Sequence, residues 1–214
     1  MPVFDPKQPY YLGYRDALAA TRPDGSWLIG NGALIQYRSK SLVSWGIRSF
    51  TNGCHSHSAM ARRNKDGSLD VLELREFIGG RAVPLDGHVQ RMPAQLDVFV
   101  PDLERWPEAN PDGAVAYMRE LTNRDYGYTG VLRLFLMRLP FLRWLWRYDQ
   151  VDARDSKKPP FCSHAVSIAW AIGGNVVPVL RKSCDLVTPA ELTCSWFFSE
   201  YVGTLVPDDW LTAS

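Results

Sequence analysis

The chain has 214 residues, of which 46% are hydrophobic and 22% charged; that is apolar material for one sizeable core and predicts a single domain over 1–214. Lysine and arginine total 24 against 23 aspartates and glutamates, a formal net charge of +1, so nucleic acid is excluded as the principal partner. The 16 glycines and 15 prolines are an ordinary share, which excludes collagen-like and low-complexity chains.

Residues 1–28, rich in Pro, Tyr and Gly, read as an N-terminal arm with one short helical stretch at 14–21. The opening stretch lacks a basic start followed by an apolar run, so no secretory leader is expected and the expected location is cytoplasmic. After Asn31-Gly32, the run Ala33-Leu34-Ile35-Gln36-Tyr37 predicts a strand, and the apolar spacing over 39–50 predicts a helix. Strands are predicted at 55–62 and 69–77, joined by Asn64-Lys65-Asp66-Gly67, whose Asp-Gly is a strong hairpin signal. Residues 32–77 thus form one sheet half, and 79–102 is expected to extend the sheet.

Pro111-Asp112-Gly113 opens a predicted helix running to about 122, and 124–130 reads as a loop. Residues 131–148 are very apolar, but Arg133, Arg138, Arg143 and Arg147 interrupt them and Pro140 splits them. Each arginine at a bilayer centre costs about 2.5–3.5 kcal/mol, so a spanning helix is not expected. Two short pieces are expected instead, either packed on the sheet or lying at a membrane surface with Trp144 and Trp146 at headgroup level. The charged stretch 150–160 closes the 79–150 portion as a surface loop, and 160–198 holds a further helix and the segment after it.

That helix, 161–172, is apolar around most of its circumference, preceded by Pro159-Pro160 and closed by Gly173-Gly174. Cys162 falls in its first turn, where unpaired N–H groups and the helix dipole favour thiolate. A nucleophilic thiol needs a base, and the chain has only His55, His57, His88 and His164. His57 sits on a predicted strand, and Glu73 on the next strand of the hairpin stands where a carboxylate could orient its imidazole. Taken alone, alternation between Leu72 and Leu74 makes Glu73 a solvent-facing carboxylate. Cys54, His55 and His57 have no second closely spaced pair of ligands behind them, so no metal and no other cofactor is expected. The four cysteines are irregularly spaced without a CxxC pair, which predicts free thiols.

In this order the segments resemble the circularly permuted branch of the NlpC-type, papain-like cysteine peptidases and amidases, to which the lecithin-retinol acyltransferase-like proteins are related. The resemblance rests on Gly32-Ala33-Leu34-Ile35, Ser56-His57-Ser58-Ala59-Met60, Leu72-Glu73-Leu74, Tyr126-Gly127-Tyr128, Phe161-Cys162-Ser163 and the segment Val187 to Leu192 followed by Ser195. Two positions depart from the pattern: Ala33 stands where the family has aspartate, and His164-Ala165-Val166 follow Cys162-Ser163 where it has an acidic-apolar pair. The resemblance implies an α+β fold of the permuted papain-like type, with an antiparallel sheet packed against a buried helix carrying the cysteine. It implies a cysteine-dependent hydrolase cleaving an amide, peptide or (thio)ester acyl bond, with Cys162 as nucleophile, His57 as base and Glu73 as orienting acid. Cell-wall peptides and lipid acyl groups are both within the family's substrate range. The alternatives are acyl transfer on lipid substrates and an inactive binding module that retains the fold.

Overall fold

The computed structural model describes residues 2–39, 48–49, 51, 53–131 and 159–212. Most of the helix predicted at 39–50, the arginine-studded segment 131–148 beyond its first residue and the loop 150–160 up to 158 lie outside the described residues. In chain order the structure has β1 (Tyr11–Gly13), α1 (Tyr14–Ala19), β2 (Leu34–Tyr37), β3 (His57–Arg63), β4 (Leu69–Arg75) and β5 (Gly79–Pro84). It continues with α2 (Leu85–Arg91), β6 (Leu96–Val100), α3 (Pro111–Leu121), α4 (Cys162–Ile168), α5 (Pro189–Thr193) and β7 (Glu200–Val206).

The seven strands form one sheet in the order β1-β7-β6-β2-β3-β4-β5. β2 to β5 make an antiparallel meander. Its β3–β4 turn is the predicted one: Gly67 takes φ +84°, a left-handed conformation that glycine adopts without penalty, and its N–H donates to Asn64 O at 3.0 Å. The strands carrying Leu34, His57 and Glu73 are antiparallel as expected, but the sheet as a whole is mixed, because β1 pairs parallel to β7. The N-terminal arm therefore supplies an edge strand as well as the expected short helix.

Side-chain alternation sends Leu34, Met60, Leu72, Leu74 and Phe99 into a core shared with α3 and α4. Ile35, Ala61, Val71 and Val98 enter a second core on the opposite face, with residues of α1 and α2. With both faces covered, β2 and β6 are buried along their whole length, and a polar side chain on these strands must find its partner inside the protein. The stretch 79–102 extends the sheet as expected, through β5 and β6, and between them adds α2, a two-turn helix that the sequence reading does not include and that buries Leu85, His88 and Val89 at the i, i+3, i+4 spacing of one helix face. Among the described residues no helix is long and apolar enough to cross a membrane.

Candidate active site

Cys162 is the first residue of α4 and is buried. Phe161 before it is extended, and no side chain caps the helix, so the orphan N–H groups of the first turn are left for another acceptor. Along the helix, Ser163 Oγ donates to Val187 O at 2.7 Å and Ser167 Oγ to Ser163 O at 2.8 Å. The helix continues as a π turn, Ala169–Gly173, whose Trp170 packs where a side chain at Gly32 would stand: a Cβ there would be 2.4 Å from the indole. The glycine that opens β2 is thus required by close approach of the cysteine helix.

β3 pairs with β4 from Arg63–Leu69 to Met60–Leu72, and His57 lies beyond that ladder, at the strand's start, opposite Tyr37 of β2. His57 Nε2 stands 2.8 Å from Glu73 Oε2. Glu73 alternates away from Leu72 and Leu74, yet it is fully buried, which overturns the solvent-facing reading: α2 packs on that face and brings His88 to the carboxylate. Its other oxygen accepts from Arg81 Nε at 2.7 Å and Nη2 at 2.5 Å, Arg81 being its register partner on β5. His88 Nε2 is 3.6 Å from the same oxygen, and the Tyr37 ring meets the His57 imidazole edge-on at 4.9 Å between centroids.

With one imidazole nitrogen held by Glu73, the other is left for Cys162, whose helix packs on β3, and each of the two shifts the titration of the other. Burial opposes charge on the thiol, but attraction to His57, the hydrogen bond from it and the backbone N–H of Ser58 together hold the Cys162 pKa below the ordinary thiol value. The same burial works against the imidazolium, and Cys162 and Glu73 outweigh it, raising His57 to about 10. Glu73 is held below the usual carboxylate range: burial is overcome by His57 and Arg81. Each partner thus favours the charged form of the other, the direction that leads to a thiolate–imidazolium pair. Its neighbours contrast with it. Burial, aided by Asp185, pushes Cys184 up to about 12, and burial drives His164 down to about 4 despite Asp185, which leaves His164 neutral.

Tyr126 was legible in the sequence only as part of a turn. It is buried in the same cluster as Cys162, and burial together with the negative sulfur raises its pKa far above the ordinary tyrosine value. Gly127 makes this approach feasible, since a Cβ there would stand 1.9 Å from Pro159 O, and its N–H donates to Pro160 O at 3.0 Å. The loop is pressed onto the residues that lead into α4. No protein-family model and no curated protein matches the chain.

His55, two residues before His57, goes elsewhere. Its Nε2 lies 2.7 Å from Asp97 Oδ2 on β6 and its Nδ1 2.9 Å from Thr193 Oγ1, while Phe4 stacks on the ring at 5.3 Å. Arg38 and Thr204 complete the shell of Asp97. The two histidines therefore serve different carboxylates, and among the described residues no three His, Cys, Asp or Glu side chains form a metal cluster. His55→Ala leaves a buried carboxylate short of a partner and is expected to lower stability by about 1–3 kcal/mol, read as a shifted urea midpoint. The reactivity of Cys162 should be retained in the folded variant, and its loss there would place His55 in the reactive site.

Proposed function

We propose that this chain is a cysteine-dependent hydrolase that cleaves an amide, peptide or (thio)ester acyl bond, built on the permuted papain-like plan. The observation that carries the reading is His57 bridging Cys162 on one side and Glu73, at 2.8 Å, on the other. Those three residues come from β3, β4 and the start of α4, and nucleophile, base and orienting acid in such contact are the requirement for covalent acyl transfer.

In this mechanism the Cys162 thiolate attacks the carbonyl carbon, and the electron pair of the C=O bond moves to oxygen. The uncapped first turn of α4 supplies N–H donors for that oxyanion. Collapse of the tetrahedral species expels the leaving group, which takes the proton from the His57 imidazolium and leaves an acyl-thioester on Cys162. Neutral His57 then takes a proton from water as it attacks the thioester; the acid departs and the thiolate–imidazolium pair is restored. Glu73 keeps the imidazole in the tautomer and orientation that both steps need. Two hydrogen bonds that Arg81 donates to its other oxygen fix the carboxylate.

Incubation with p-nitrophenyl acetate is expected to release a burst of nitrophenol equal to the enzyme concentration and to leave an acetyl group on Cys162, located by peptide mass spectrometry. Cys162→Ala removes both. Steady hydrolysis that survives Cys162→Ala would reject the reading.

A further inference from the structure

The turn between β4 and β5 exposes two large apolar side chains side by side, Phe77 at 84% and Ile78 at 57% of their surface. Phe77 also has φ +64°, a left-handed conformation that costs a bulky residue energy and is retained where the surroundings enforce it. What enforces it is Tyr128, whose hydroxyl accepts the Phe77 N–H at 2.6 Å and whose ring centroid lies 6.0 Å from that of Phe77. Tyr128 in turn meets Tyr126 edge-on at 5.0 Å, and Tyr126 packs in the same buried cluster as Cys162. A continuous aromatic row therefore runs from the cluster that holds Cys162 to the surface. Glu76, the neighbour of Phe77, acts electrostatically on both Cys162 and Tyr126.

We infer that Phe77, Ile78 and Tyr128 form the recognition wall for the acyl side of the substrate, selecting an uncharged, apolar acyl substituent. The inference rests on the hydrolase reading above and extends it to substrate class. The leaving group must lie over His57 to receive its proton, so the acyl substituent takes the other direction from the carbonyl. The aromatic row starts in the buried cluster that holds Cys162 and offers that direction an apolar path. The Glu76 carboxylate beside it repels an acyl group that carries a negative charge. Two exposed apolar residues on a strained turn are a cost to a soluble fold unless something covers them, and the apolar acyl group is the occupant that continuity with Cys162 designates.

The test compares p-nitrophenyl octanoate with p-nitrophenyl acetate in the whole chain and in Phe77→Gly and Tyr128→Phe. Glycine relieves the positive φ, so Phe77→Gly is expected to melt no lower than wild type while its octanoate-to-acetate ratio of kcat/KM falls about tenfold, the scale of discrimination a small apolar pocket gives. Tyr128→Phe frees the Phe77 N–H and lowers the ratio in the same direction. An unchanged ratio in Phe77→Gly, with Cys162 still acylated by both esters, overturns the recognition wall and leaves the hydrolase reading standing. No acyl group on Cys162 of the wild-type chain with either ester overturns both.

Discussion

At pH 6 iodoacetamide is expected to modify Cys162 before the other three thiols, even though Cys194 is the exposed one and Cys162 is buried. An ordinary thiol with pKa near 8.5 is only about 0.3% thiolate at that pH, and the thiolate is the species that alkylates. Cys162 has its pKa held down by His57 and the Ser58 N–H, whereas Cys54 is pushed up by burial and Asp97, and Cys184 to about 12. The gain in thiolate fraction that a lowered pKa brings exceeds what is lost to the weaker nucleophilicity of a low-pKa thiolate. His57→Ala removes what holds the Cys162 pKa down, so labelling of Cys162 at pH 6 is expected to slow, with hydrolysis falling about 10²–10⁴-fold as the general base is lost. Labelling in the order of exposure, Cys194 first and Cys162 last, or a Cys162 rate indifferent to His57→Ala, would show that no thiolate–imidazolium pair exists.

Local signals carried part of this arrangement and geometry carried the rest. Pro159-Pro160 and Gly173-Gly174 punctuate the cysteine helix, and Asp66-Gly67 marks the β3–β4 turn; both are read from neighbouring residues, and the structure has both elements. The shortage of histidines narrows the base to few candidates and the resemblance selects His57; in the sheet His57 faces Glu73 whereas His55 faces Asp97. Alternation gave the right direction for Glu73 and the wrong environment, because whether a strand face meets water depends on a second layer. Here that layer includes α2, a seven-residue helix with Gly87 inside it, too short and too broken to announce itself. Arg81 reaches Glu73 through the β4–β5 register, and Tyr126 reaches the cluster around Cys162 because Gly127 lets two segments some thirty residues apart in sequence touch. Neither contact has a local sequence signature.

Glu73→Gln and Glu73→Ala are expected to separate the orienting role of this carboxylate from its structural one. Glu73 is buried, with one oxygen at His57 and the other gripped twice by Arg81. Alanine strands the guanidinium and is expected to destabilise the fold by about 3–5 kcal/mol, the usual result of removing one partner of a buried pair. Glutamine keeps the shape but has one carbonyl oxygen for two donors, so either Arg81 or His57 faces an amide N–H. Hydrolysis is then expected to drop about 10³–10⁴-fold, as when an amide replaces the carboxylate that fixes a catalytic histidine's tautomer, while the variant still folds. Stability against pH provides the second readout. The folded-state pKa of Glu73 lies below its ordinary value of 4.5, so the unfolded chain binds the proton more readily, and the contribution is fully present above pH 4.5 and lost as pH falls toward the folded value. Wild type should therefore lose stability on acidification below about pH 4.5 more steeply than Glu73→Gln, which has no proton to take up there. Parallel acid limbs, together with wild-type hydrolysis in Glu73→Gln, would remove Glu73 from the proposed triad and leave it a structural anchor for Arg81.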